Sequence, residues 1–349
     1  MPDSPSRLGV AAASRQTAVQ RSAELLDDKP PPVSHAAGIS GAPLPEPGGA
    51  PPAVEREFTV VARSQWRTIA ARFARHRLAL ISAVLFVLVV LFSFLGPLLW
   101  KFDHTQNFTG PVSKPPTGAH PFGTDDIGHD VLAQVMRGGQ QSLKISLFVA
   151  VVSTVIGTVY GLVSGYAGGG WDNLLMRIVD LVLTLPLLAI AAVLAFKFSS
   201  NPLLSSWFGV AVVLAVLLWA PIARVVRGVV LSLREREFIE AAHALGASRS
   251  RILFRHLLPN VSGPVIVNAT VYVSIAILTE TSLSFLGFGV KQPDVSLGTL
   301  IYYNQTAIST RPWLFYIPGV FIVIIALTIN FIGDGLRDAL DPQQNRVRS

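Results

Sequence analysis

The chain has 349 residues, of which 51% are hydrophobic and only 14% charged, with a formal net charge of +7 and no cysteine. A soluble globular protein carries about 25% charged residues, so a deficit sustained over this length places most of the chain in lipid, where charges are expensive. Without cysteine there is no disulfide framework, thiolate metal site or cysteine nucleophile; the basic residues gather at the ends of apolar segments rather than in an aromatic-basic strip, which argues against nucleic acid as a partner.

In chain order, residues 1–57 are rich in Pro, Ala and Gly, with runs such as Pro30-Pro31-Pro32 and Pro43-Leu44-Pro45. Such a stretch buries too little apolar area to offset its ordering entropy and reads as a disordered tail. A basic lead-in helix is expected over 58–77. Leu78–Trp100 follows, free of charge and long enough, at about 1.5 Å per residue, to cross a hydrocarbon core of roughly 30 Å. Further apolar segments are Ile145–Tyr166, Leu174–Phe196, Trp207–Ala223, Pro264–Glu280 and Trp313–Phe331. Five to seven spans fit the pattern and six fits best, giving an all-α transmembrane domain over 78–336. Its connections include a segment at 101–139 and a loop at 224–262, and a short tail covers 337–349.

Arginine and lysine set the orientation. Arg63, Arg67, Arg72, Arg75 and Arg77 precede the first span, and Arg224, Arg227, Arg234, Arg236, Arg249, Arg251 and Arg255 crowd the 224–262 loop. The other side has only Lys101, Lys114, Arg137, Lys144, Lys197, Lys291 and Arg311 over several loops. Both termini and the 224–262 loop are therefore expected to be cytoplasmic, and 101–139 external. Gly157, Gly161 and Gly165 fall on one helical face, where small residues allow backbones to approach. Pro186 and Pro221 should kink their spans. Asp180 has Arg177 one turn away, an expected local ion pair. Asp125, Asp126 and Asp130 read as a capping and turn cluster rather than a cation site.

The 224–262 loop is unusually patterned. Glu235 to Leu245 reads as one short helix with Phe238, Ala242 and Leu245 on a common face. Gly246 is a stop, Ser248 a cap for a second helix from Arg249, and Ile252, Leu253, His256 and Leu257 form its apolar stripe, ending at Leu258-Pro259. From pattern alone, an interfacial hairpin that merely anchors the loop is the favoured reading.

The residues themselves say more. Glu240-Ala241-Ala242, then Gly246, then Leu258-Pro259 resembles the EAA loop of ABC importer permeases. His120-Pro-Phe-Gly-Thr-Asp-Asp-Ile-Gly-His-Asp130, Gly165-Tyr-Ala-Gly-Gly169, Met176-Arg-Ile-Val-Asp180, Ser282-Leu-Ser-Phe-Leu-Gly-Phe-Gly289 and Gly333-Asp-Gly-Leu-Arg-Asp338 resemble the dipeptide, oligopeptide and nickel group of that family, specifically the C-type partner of its permease heterodimer. His129 stands where the family commonly has arginine, and His256 where it often has an aliphatic residue.

The resemblance implies a type I importer permease fold in the bacterial cytoplasmic membrane. It implies a second homologous permease, two cytoplasmic ATPase subunits or domains, and an external substrate-binding protein. The implied ATPase-coupling residues are Glu240, Ala241, Ala242, Gly246, Leu258 and Pro259; the residues of the substrate path are not identified. Di- or oligopeptides are the implied substrates, with nickel or another small solute as the alternative. No Gly-x-x-x-x-Gly-Lys-Ser/Thr stretch is present, so ATP and Mg are expected on the partner subunits and no cofactor or metal on this chain. No Gly-x-Ser-x-Gly or His-Glu-x-x-His occurs, which argues against an intramembrane enzyme. An ion-gradient-driven transporter is the remaining competitor, without the internal repeat expected of that class.

Overall fold

The computed structural model describes residues 65–340 other than 199 and 202–205. The expected tail over 1–57, the start of the lead-in helix and the last residues of 337–349 lie outside the described residues. No strand occurs among the described residues beyond a single bridge between Thr124 and Asp130, so the fold is all-α.

The helices are α1 (Gln65–Phe73), α2 (Arg77–Leu99), α3 (Val131–Ala167), α4 (Gly169–Thr184), α5 (Leu187–Phe198), α6 (Trp207–Leu218), α7 (Ala220–Arg234), α8 (Glu237–Ala244), α9 (Arg249–Phe285), α10 (Leu297–Asn304) and α11 (Trp313–Leu340). Four of them, α2, α3, α9 and α11, are each long and apolar enough to cross a membrane, and the bent pairs α4–α5 and α6–α7 bring the number to six. The bends fall where proline removes a main-chain donor. Pro186 sits at the 83° break between α4 and α5, and Pro221 next to the 40° break between α6 and α7.

Several helices outrun their apolar segments, α3 and α9 by the most at their N-terminal ends. α3 starts at Val131, well ahead of Ile145, because its polar first turns are buried against partners. Gln134 donates to Asp125 at 3.0 Å, Gln140 to the Ser93 carbonyl at 2.7 Å, and Arg137 reaches Asp294 through two hydrogen bonds of 2.7 and 3.0 Å. Gln141 donates to the same Asp294 carboxylate. α9 likewise begins at Arg249 rather than Pro264, and winds as a π-helix over Ile252–Leu257 before resuming as a regular helix at Leu258.

Among the described residues the core forms two large apolar clusters that share α3 and α9, and a small third one of Val179, Ala220 and Ala223 between α4 and α7. One gathers Ile145, Val149, Leu214, Ile222, Val226 and Val230 from α3, α6 and α7. The other gathers Val89, Val135, Ile277, Leu300, Ile322 and Ile325 from α2, α3, α9, α10 and α11. The glycine face of α3 makes the tightest joint. A Cβ on Gly161 would lie 2.5 Å from the Ala223 carbonyl oxygen, and one on Gly157 2.7 Å from that of Trp219. Only hydrogen fits there, so α3 and α7 pack backbone to backbone. Away from the core, Ile81, Val84, Val87 and Leu88 of α2 are exposed, the face expected of a helix in contact with lipid.

At the end of the bundle carrying residues 101–130, the acidic cluster acts as caps. Asp130 is fully buried and accepts from the Ala133 N–H at 2.9 Å, the Trp100 indole at 3.0 Å and the His120 ring at 2.7 Å. Asp125 accepts from the Ile127 and His129 N–H groups at 3.0 and 2.8 Å and pairs with the His129 ring at 2.7 Å. His129 thus has a defined partner that the sequence did not reveal. Nearby, Glu280 is buried and accepts from the hydroxyls of Ser142, Ser284 and Ser296 at 3.1, 2.7 and 2.6 Å. With the Arg137–Asp294 pair, it fastens the N-terminus of α10 to α3 and α9.

Candidate coupling site

At the opposite end of the bundle, α7 stops at Arg234 and the chain turns into α8. This helix spans Glu237–Ala244, shorter at both ends than the Glu235–Leu245 expected. Its stop follows from Gly246. The residue has φ +74, a left-handed conformation that glycine adopts without a Cβ clash. The Ala247 N–H donates to the Ala242 carbonyl at 3.0 Å and the Gly246 N–H to that of His243 at 2.9 Å. That is a Schellman cap, which satisfies carbonyls otherwise orphaned at the helix end. Ser248 then accepts from the Arg251 N–H at 3.4 Å and opens α9.

The common face expected of Phe238, Ala242 and Leu245 does not pack as a unit: Phe238 and Leu245 are 41% and 88% exposed. The inward residues are Ile239 and Ala242, at 1% and 7% exposure. They join Val226 and Val230 of α7, Leu162 of α3 and Ile252, Leu257 and Val261 of α9 in one cluster. Periodicity misled here because Ile239 and Phe238 are adjacent and equally apolar. Which one turns inward depends on where α7 delivers the chain.

The six residues implied by the resemblance therefore separate. Glu240 and Ala241 are exposed on the outer face of α8, beside Phe238, and Ala242 is the anchor behind them. Gly246 makes the turn. Leu258 and Pro259 are not part of the exposed loop. Leu258 packs on the core and Pro259 lies in the first turn of the regular part of α9, which continues instead of ending there as expected.

An open cleft of about 830 Å³ adjoins α8, lined by Tyr166, Trp171, Arg234, Glu240, His243 and Leu253 among others. The His243 and Tyr166 rings lie parallel, with centroids 6.2 Å apart. Behind the cleft, Arg227 of α7 grips Asp172 of α4 through two hydrogen bonds of 2.6 and 2.5 Å, and Ser164 of α3 donates to the same carboxylate at 2.5 Å. The expected Arg177–Asp180 pair is not formed. Asp180 instead accepts from Arg224 of α7 at 2.6 Å, a partner distant in sequence that no local pattern could indicate.

The family model described as binding-protein-dependent transport system inner membrane component matches residues 157–346, and that for the N-terminal TM domain of oligopeptide transport permease C matches residues 64–116. The oligopeptide transport system permease protein OppC of Mycobacterium tuberculosis (strain ATCC 25618 / H37Rv) is 41% identical over 286 residues, which cover 80% of this chain and 95% of that protein. OppC of Escherichia coli (strain K12) is 41% identical over 289 residues, covering 82% and 94%. A chain from an inward-facing structure of the MetNI methionine ABC transporter overlays with a TM-score of 0.48 at 19% identity, covering 60% of this chain and 98% of that one, too loosely to carry a fold.

Proposed function

The chain belongs to the binding-protein-dependent transport system inner membrane components, which are multi-pass permease subunits, and we propose that its own complex imports oligopeptides across the bacterial cytoplasmic membrane at the expense of ATP. In this reading a second, similar permease completes the path and an external binding protein delivers the peptide. Two ATPase subunits bind ATP and Mg and dock on α8. Both termini and α8 face the cytoplasm, where Arg234 at the end of α7 and Arg249, Arg251 and Arg255 at the start of α9 gather.

One observation supports the coupling role: α8 buries one face in the core and leaves the other exposed. Glu240, Ala241, Phe238 and Leu245 are presented outward, while Ile239 and Ala242 are locked into the cluster that holds α3, α7 and α9 together. Interiors are close-packed and transmit displacement rather than absorb it. A push on α8 therefore moves the feet of three spans. The exposed Ala241 lets a partner's backbone approach, Leu245 and Phe238 are apolar knobs for a groove, and Glu240 is placed to pair with a basic group.

The test is uptake of a labelled tetrapeptide into proteoliposomes containing the whole complex with its binding protein. The intact complex is expected to accumulate peptide only with ATP. Glu240→Lys, which reverses an exposed charge without touching the core, is expected to cut uptake by about tenfold, the loss of one charged interface contact. Undiminished uptake in that variant would exclude Glu240 as a contact. Uptake by the intact complex that ignored ATP would exclude the importer reading altogether.

A further inference from the structure

Asp180 of α4 and Arg224 of α7 form an ion pair of 2.6 Å whose side chains are 52% and 56% exposed, respectively. From Gly169 to Asp180, and from Arg234 back to Arg224, each helix rises about 15 Å. Both residues therefore lie well inside the two bent helix pairs that count as candidate spans.

A half-exposed guanidinium and carboxylate inside a span are not tolerated against lipid tails; charged groups within spans face a protein interior or water. On α2 the exposed residues at mid-helix are Val84, Val87, Leu88 and Leu91, all apolar. On α4 and α7 the pair stands among exposed Leu174, Ile178, Leu181 and Val225, but Arg177, one turn from Asp180, is exposed too, and Gly228, one turn from Arg224, has open space around it. Asp172 and Arg227 are tied to each other and less exposed. Among the described residues of α4 and α7, Asp180 and Arg224 are thus the half-exposed ion pair within the candidate spans.

We propose that Asp180 and Arg224 line the translocation path and read the charged ends of the peptide passing through it, Arg224 taking the free carboxylate and Asp180 the free ammonium. This rests on the importer reading above. With the path empty the two side chains neutralise each other. A zwitterionic peptide exchanges that one ion pair for two, so no charge is stranded in a low dielectric, whereas a peptide with one end blocked strands a partner. The guanidinium fork, with one edge on Asp180, suits an incoming carboxylate in a way an ammonium would not.

The chain has no cysteine of its own, which permits a clean first measurement on the assembled complex. Asp180→Cys and Arg224→Cys should react with a charged, membrane-impermeant thiol reagent applied from the cytoplasmic side, and Leu88→Cys should not. Absence of labelling at both positions overturns the proposal. The second measurement compares uptake of a free tetrapeptide with its C-terminally amidated form. Arg224→Gln should lower uptake of the free peptide about tenfold, as for the loss of a charged hydrogen bond, and leave the amidated peptide at its wild-type rate. A wild-type rate for the free peptide, or equal losses for both peptides, makes the pair a structural joint and overturns the proposal. Failure of the intact complex to take up the free peptide at all would be a different result, one that sinks the importer reading instead.

Discussion

Gly161→Leu is expected to abolish peptide uptake and to destabilise the detergent-purified chain by about 3 kcal/mol, the upper range for overpacking a close-packed site. A Cβ at this position would meet the Ala223 carbonyl oxygen at 2.5 Å, the Val226 Cβ at 2.8 Å and the Arg227 nitrogen at 3.0 Å. Two of these are main-chain atoms of α7 and cannot turn aside as a side chain would. The helices must separate, and Val226 and Val230, which connect α7 to the buried face of α8, separate with them. Gly228→Ala is the contrasting substitution. It lies in α7, the helix that Gly161 packs against, with nothing within 4 Å, so it should leave the melting temperature unchanged or raise it, a glycine in a helix interior costing up to about 1 kcal/mol against alanine. Equal melting curves for Gly161→Leu and the wild type would show that α3 and α7 are not joined at this face.

The second large effect is expected at Gly246. Proline holds φ near about −65°, whereas this position has φ +74 and an N–H that donates to the His243 carbonyl. Gly246→Pro therefore removes both the turn and half of the cap on a helix of only 8 residues. We expect uptake to fall more than about tenfold while ATP hydrolysis in the complex continues, because the outer face of α8 is no longer held by its inner one. Gly246→Ala separates conformation from space: no atom would touch the added methyl, so only the left-handed backbone is penalised, at about 1–2 kcal/mol. It should retain partial uptake, and Gly246→Asn more, since asparagine tolerates that conformation. Proline and alanine variants with the same uptake would remove the cap from the mechanism.

Much of this was legible from residue order. The charge-poor segments located six spans, the four-residue spacing of Gly157, Gly161 and Gly165 marked the face where α3 meets α7, and Pro186 and Pro221 marked the two breaks. These are local signals, and each has one physical cause. What escaped was tertiary. The first turns of α3 look like loop because Gln134, Arg137 and Gln140 are polar, and only their partners on Asp125, Asp294 and the Ser93 carbonyl make them helix interior. Pro259 and Pro264 look like boundaries, yet α9 passes through both, with a π-wound stretch just before the first. Asp180 found Arg224 rather than its neighbour Arg177 because α7 delivers a guanidinium to it from another segment of the chain. At α8 the composition identified the helix but not its inward face, and the proposed lever depends on the burial of Ile239.

The lever is tested most directly by asking what touches it. Ala241 is exposed on the outer face of α8 and the chain has no other thiol, so Ala241→Cys can carry a benzophenone as a unique photo-cross-linker, with Asn107→Cys at the opposite end as the control. In a complex that still imports peptide, irradiation should join position 241 to the ATPase subunit and position 107 should give no such adduct. A transport-competent complex in which position 241 never captures the ATPase, or position 107 does, would contradict the assignment of α8 as the point where ATP hydrolysis takes hold of the membrane helices.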